Sequence, residues 1–240
     1  MCNGARRPSC DAVTSPAKTR SGGAMVIGHY AVAMAAKRVA PRTSLGTLVA
    51  AAILLDLIWP VLVLLGIEIV TITPGVTAVT PLTFVSYPYS HSLLMSIVWG
   101  LLFAGGYFVA RRYVPGTITL GVLVVSHWVL DAAVHVPDLP ITPWGSTRIG
   151  LGLWNSWPLS LGVELALFCF GLAIYIGSTT RRDSTGIWGL ALMAALLLLI
   201  YAGAVFGPPP PSANIVAWTD TGQWLVVVLA AWVDRHRRAS

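Results

Sequence analysis

The chain has 240 residues, of which 56% are hydrophobic and only 10% charged, with a formal net charge of +6 and a mean hydropathy of +0.76. Soluble globular domains carry about 25% charged residues, so the composition excludes an ordinary soluble domain and points to a polytopic membrane protein built on apolar runs of about 20 residues. The basic residues sit at the ends of these runs and read as topology signals, not as a nucleic-acid surface.

Residues 1–24 are polar and have no apolar h-region, so they are not a secretory signal peptide. They read as a disordered tail, or as an over-long start with Met25 the initiator. Residues 25–240 read as one transmembrane helical domain. Cys2, Cys10 and Cys169 form neither a disulfide framework nor a CxxC metal site. Met25–Ala36 is apolar apart from His29 and is followed by Lys37, Arg38 and Arg42. At about 12 residues it is short for a span. A half-depth helix, a tilted span starting near Gly22 and an interfacial helix all remain open. Leu45–Ile67 reads as a span with Asp56 near its centre and a kink expected at Pro60. A Pro/Gly-containing loop, Glu68–Ser90, follows. Tyr87–Ala110 is the next span, with Tyr87 and Tyr89 as interfacial anchors and Ser90 as a candidate N-cap.

Thr117–His135 is the fourth apolar run, and Pro137–Trp157 a second loop whose Trp154 and Trp157 suit an interfacial belt. Leu159–Gly177 carries Glu164, which could simply pair with Arg148. Ile187–Phe206 has no charge and reads as scaffold. Pro208–Pro211 is a stiff connector. Ala213–Val233 is a weaker span, diluted by Asp220, and ends in a basic run containing His236. The expected fold is therefore an all-α bundle of six transmembrane helices plus a short N-terminal helix. Residues 25–140 form its site-bearing half and residues 141–240 its scaffold half. If Leu45–Ile67 runs outward, the basic residues at the run ends all fall on one side and only Arg148 on the other. The positive-inside rule makes the first side cytoplasmic and places the C-terminus there.

Within this frame Gly121–Pro140, GVLVVSHWVLDAAVHVPDLP, stands out. His127 and Asp131 are four residues apart, so on a helix they stack on nearly one face about 6 Å apart. His135 lies a further turn along. Ionisable groups in hydrocarbon cost at least about 2.5–3.5 kcal/mol for Asp, so they face a protein interior or water and mark function. Rise per residue places His29, Asp56, His127 and Asp131 about 12–21 Å from the cytoplasmic end, and His91 at about 28 Å. Helix kinks and tilts can close that gap. Imidazole nitrogen with carboxylate oxygen is the ligand set of zinc, non-haem iron or manganese. A divalent cation also lets two neighbouring carboxylates stay ionised in a low dielectric. The expected metal ligands are His29, Asp56, His91, His127 and Asp131, with zinc favoured. His135 and Asp138 are the candidate catalytic residues: His135 to protonate a leaving group, and Asp138, or Asp131 in its place, to orient the water. Helix-to-helix pairing or simple solvation is the alternative role for each of these residues.

The pieces GHY with His29, LLDLIWP with Asp56, YSHSLL with His91 and SHWVLD with His127 and Asp131 resemble, in their order, a family of bacterial inner-membrane metal-dependent hydrolases. That family is described as YdjM-like or LexA-binding inner-membrane-associated, and the resemblance covers roughly residues 25–140. It implies a location in the bacterial inner membrane and a metal-dependent activity akin to zinc phospholipases C. Where the family has Pro-Asp-x-Asp-His, this chain has Leu55-Asp56-Leu57-Ile58-Trp59. Where the family has His-Arg-Gly, it has Ser86-Tyr87-Pro88-Tyr89. Two ligands are thereby missing, which implies a mononuclear centre.

Three functions follow as expectations. The first is a hydrolase of a lipid or other amphiphile, with membrane lipids as its surroundings and no nucleic-acid partner. The second is a small transporter using the buried His and Asp as a proton or cation relay, for which inverted repeats are the usual sign; none is obvious. The third is a structural membrane protein whose polar residues only join helices.

Overall fold

The computed structural model describes residues 27–240; the polar tail 1–24 and the first two residues of the short N-terminal run lie outside the described residues. The fold is an all-α helical bundle. Among the described residues, five segments are long and apolar enough to cross a membrane. They are α5 (Leu93–Arg111), α6 (Val114–Val134), α7 (Trp157–Ser178), α8 (Thr185–Phe206), and the pair α9 (Ala213–Asp220) and α10 (Gln223–Arg235) taken as one. The sixth is a bent pair, α2 (Leu45–Ala52) and α3 (Leu54–Leu64). These six are the runs expected from the sequence.

Short elements close the two ends of the bundle. At the end opposite the basic residues lie the hairpin β1 (Ile69–Ile72) and β2 (Leu82–Ser86), the four-residue helix α4 (Pro88–His91), and the small hairpin β3 (Leu139–Pro140) and β4 (Arg148–Ile149). A single 3-10 turn at Leu153–Asn155 leads into α7. At the basic end, β5 (Thr179–Arg181) pairs with β6 (Arg237–Ala239).

Residues 27–36 form α1, which is neither interfacial nor peripheral. It packs along α7 and α2, and eight of its ten residues are buried. The contact with α7 depends on Gly171, where any Cβ would collide with the Ala31 carbonyl. Close backbone approach through small residues is how helices associate where lipid removes the hydrophobic drive. Gly46 plays the same part between α2 and α10, against Ala231 and the Val227 carbonyl. The outer faces stay apolar: Leu101, Val122, Phe170, Leu199 and Leu225 are exposed, as a lipid-facing surface requires.

Three local expectations are corrected. The bend in the second run falls at Ile53, where α2 and α3 diverge by 54°, and Pro60 lies inside α3. The stretch Glu68–Ser90 contains a hairpin and α4, so the next span starts at Leu93. Its N-cap is Ser92, whose side chain accepts from the Met95 N–H at 3.3 Å, not Ser90. Finally, Tyr87 and Trp154 are buried, not interfacial, while Tyr89 is half exposed.

Candidate metal centre

His29 is placed by the start of α1. The first N–H groups of a helix lack intrahelical partners and carry partial positive charge. Here the Ile27 and Gly28 N–H groups both donate to Glu164 Oε2 of α7, each at 3.0 Å. Glu164 is thus a helix cap, and Arg148 donates instead to the Gly145 carbonyl. One residue on from this anchor, His29 points inward and is 2% exposed.

The bend at Ile53 serves His127. Carbonyls at a helix C-terminus are left without their i+4 donors, and the Ala52 carbonyl accepts from His127 Nδ1 at 2.8 Å. A carbonyl can only accept, so Nδ1 carries the proton and Nε2 of a neutral ring holds a lone pair. That Nε2 lies 3.2 Å from Asp131 Oδ2 and 3.5 Å from Asp56 Oδ1. It nevertheless makes no hydrogen bond. A lone pair facing two carboxylate oxygens is repulsive unless a cation lies between them.

His91, the last residue of α4, projects into the same space. Its Nε2 is 3.4 Å from Asp56 Oδ1 and 3.7 Å from Asp131 Oδ2. His29 Nε2 is 3.2 Å from Asp131 Oδ1. The His29 and His127 rings stack with centroids 3.8 Å apart and planes within 4°. Two imidazolium rings in that arrangement would repel, whereas neutral imidazole is the metal-binding form.

The structure therefore brings together all five residues expected as ligands, from α1, α3, α4 and α6. Ligand atoms of His29, Asp56 and His127 lie within 4.8 Å of one another, as do those of His91, His127 and Asp131. The five closest N···O separations run from 3.2 to 3.7 Å. Metal bonds of about 2.0–2.2 Å put the corners of a tetrahedron roughly 3.3–3.6 Å apart. The donor set, its spacing and the orphaned His127 Nε2 fit a divalent cation. Asp56 is the open edge: a quarter of its side chain is exposed, against 6% or less for the other four.

His135 and Asp138 form a neighbouring pair. His135, at the C-cap of α6, is buried and its Nδ1 lies 2.9 Å from Asp138 Oδ1. Tyr87 donates its hydroxyl to the same oxygen at 2.9 Å. Burial, then the Asp138 charge, push the Tyr87 hydroxyl well above its ordinary range, so it remains a donor. The Tyr87 ring lies between the two groups, 5.9 Å from His135 and 5.6 Å from His91 by centroid. Trp154 packs on His135 at 4.2 Å and Phe84 at 5.0 Å, giving the pair an aromatic wall.

Several contributors were not singled out for this site from the sequence. Glu68 and Ser90 support His91 and Tyr87 supports Asp138; each acts through a fold contact that spacing does not encode. Asp220 is carried on α9, which packs against α3, the helix of Asp56. Its mid-run position in an apolar segment was the available signal. His236 is partly exposed at the basic end, bonded to Asp183.

No family model, no curated protein and no solved structure matches this chain.

Proposed function

We propose that this membrane protein is a metal-dependent hydrolase of a lipid or amphiphilic ester or phosphoester, a divergent member of the inner-membrane hydrolase family that its motifs resemble. The observation that carries the reading is His127 Nε2, held without a hydrogen bond 3.2 Å from Asp131 and 3.5 Å from Asp56 and shared by two ligand triads that add His29 and His91. His29, Asp56, His91, His127 and Asp131 would hold the cation, zinc before iron or manganese. When bound, such an ion polarises a carbonyl or phosphoryl oxygen and makes water acidic near neutral pH.

The chain's own groups supply the rest. Asp138 accepts from His135 Nδ1–H, which orients the ring and leaves Nε2 as the atom that exchanges a proton with a leaving group. Tyr87 holds Asp138 in place. The partly exposed edge at Asp56, flanked by α9, is the side from which a substrate reaches the centre. The basic end of the bundle is cytoplasmic in this reading, and the C-terminus with it, so α4 and the hairpins face the outer side of the bacterial inner membrane.

The test is elemental mass spectrometry of the detergent-purified protein beside the His127→Ala/Asp131→Ala variant. About one equivalent of zinc, iron or manganese in the parent, lost in the variant, is expected. It should be accompanied by esterase or phospholipase turnover that falls in His135→Ala with metal content retained. Absence of metal under loading conditions overturns the reading and moves attention to proton or cation transport.

A further inference from the structure

The turn after α3 places a carboxylate where the sequence shows only a loop. Gly66 adopts φ 70°, a left-handed conformation that suits glycine. The chain reverses there, and the Ile67 and Glu68 N–H groups both return to the Leu62 carbonyl. Glu68 ends up 1% exposed, against α4. Its Oε1 accepts from the Tyr89 and Ser90 N–H groups at 2.8 and 2.9 Å. Its Oε2 accepts from the Ser90 hydroxyl at 2.6 Å. Ser90 Oγ lies 2.7 Å from His91 Nδ1.

The polarity of this chain of bonds is determined by donor counting. Two backbone N–H groups and a hydroxyl converge on a carboxylate that has only acceptors to offer. The single Ser90 proton is therefore spent on Glu68, and Ser90 Oγ must accept from His91 Nδ1–H. The proton on Nδ1 leaves the Nε2 lone pair facing Asp56 and Asp131. A metal-ligating histidine usually has its second nitrogen fixed in this way by an acceptor.

We propose that Glu68 is a positioning residue that sets the tautomer of His91 through Ser90, holding Nε2 ready to ligate a metal. The hydrogen-bond argument stands on its own, but its consequence rests on the metal-centre reading above. Glu68→Gln gives the sharpest test because it reverses the relay. The Gln carbonyl keeps the two backbone N–H bonds, its NH₂ then donates to Ser90 Oγ, and the Ser90 hydroxyl turns to donate to His91 Nδ1. The His91 Nε2 would then carry the hydrogen and point it at the ligand cluster. Ser90→Ala removes the constraint without reversing it, and Ser90→Thr preserves the hydroxyl.

The experiment is histidine ¹⁵N NMR on the chelator-treated full chain in detergent, together with zinc affinity by chelator competition. In the parent protein His91 is expected as the Nδ1–H tautomer, in E68Q as Nε2–H, in S90A as a mixture, and in S90T as in the parent. Zinc affinity should fall by about 10- to 100-fold in E68Q and by less in S90A. An unchanged Nδ1–H tautomer in S90A, or in a folded E68Q, overturns the proposal; so does an S90A loss of affinity as large as that of E68Q. If the parent binds no metal, the hydrolase reading fails, while the tautomer of the metal-free protein still decides the relay.

Discussion

His127 shows how much one ring depends on its surroundings. The i, i+4 spacing with Asp131 fixes the shared helix face, and that was legible in the sequence. The direction of its lone pair is set by the Ala52 carbonyl, which depends on a bend at Ile53 that no residue there announces. The same division holds for His91: its presence in YSHSLL is plain, but its link to Glu68 exists only once Gly66 has turned the chain. A ligand that binds only the folded state stabilises by about 2.7 kcal/mol at a hundred times its Kd. Unfolding followed in detergent should therefore show a higher Tm for zinc-loaded than for chelator-treated protein. Asp131→Asn should close that gap, because a neutral amide replaces one of two anionic ligands. An equal gap in parent and variant would remove Asp131 from the ligand set.

At the scale of elements, the six spans could be read from hydropathy because lipid-facing helices must be apolar whatever they pack against. What α1 does could not be read that way. About 12 apolar residues are too few to declare a span, and the burial of α1 comes from partners far along the chain, Glu164 and Gly171 on α7. The structure makes that pairing testable with two glycines of one helix. Gly171→Ala drives a methyl into the Ala31 carbonyl, and overpacking of this kind costs about 1–3 kcal/mol. Gly162→Ala meets nothing within 4 Å, and a helical Gly→Ala change there should be neutral or stabilising by up to about 1 kcal/mol. Glu164→Ala should cost about 1 kcal/mol by uncapping α1. Thermal denaturation ranks the three. Metal content should fall in G171A and E164A, which displace His29, and stay intact in G162A.

For the molecule as a whole, the run-end charges that fixed the expected orientation do more than mark a side. Asp234, read from the sequence as part of the basic C-terminal run, joins four helices at the basic end. Its Oδ2 accepts from Lys37 Nζ at 2.7 Å and from the Leu45 N–H at 3.1 Å, and its Oδ1 from the Tyr175 hydroxyl at 3.0 Å. Lys37 is 5% exposed and also donates to the Thr43 carbonyl. Such a pair is weak grounds for stability while intact, yet removing one partner strands a buried charge at about 3–5 kcal/mol. Asp234→Ala should therefore lower the Tm sharply. Lys37→Met/Asp234→Ala should recover part of the loss, because the stranded ammonium is gone. The metal centre lies towards the other end of the bundle and takes no ligand from this cluster. Zinc stoichiometry measured below the Tm should thus be unchanged in both variants. Stability and ligation would then separate by location: variants at the basic end change the Tm alone, and variants in the ligand cluster change metal content. A D234A protein that stays folded at low temperature but binds no metal would show instead that the two ends are coupled through α1, whose last turn is tied to Lys37 and whose first carries His29.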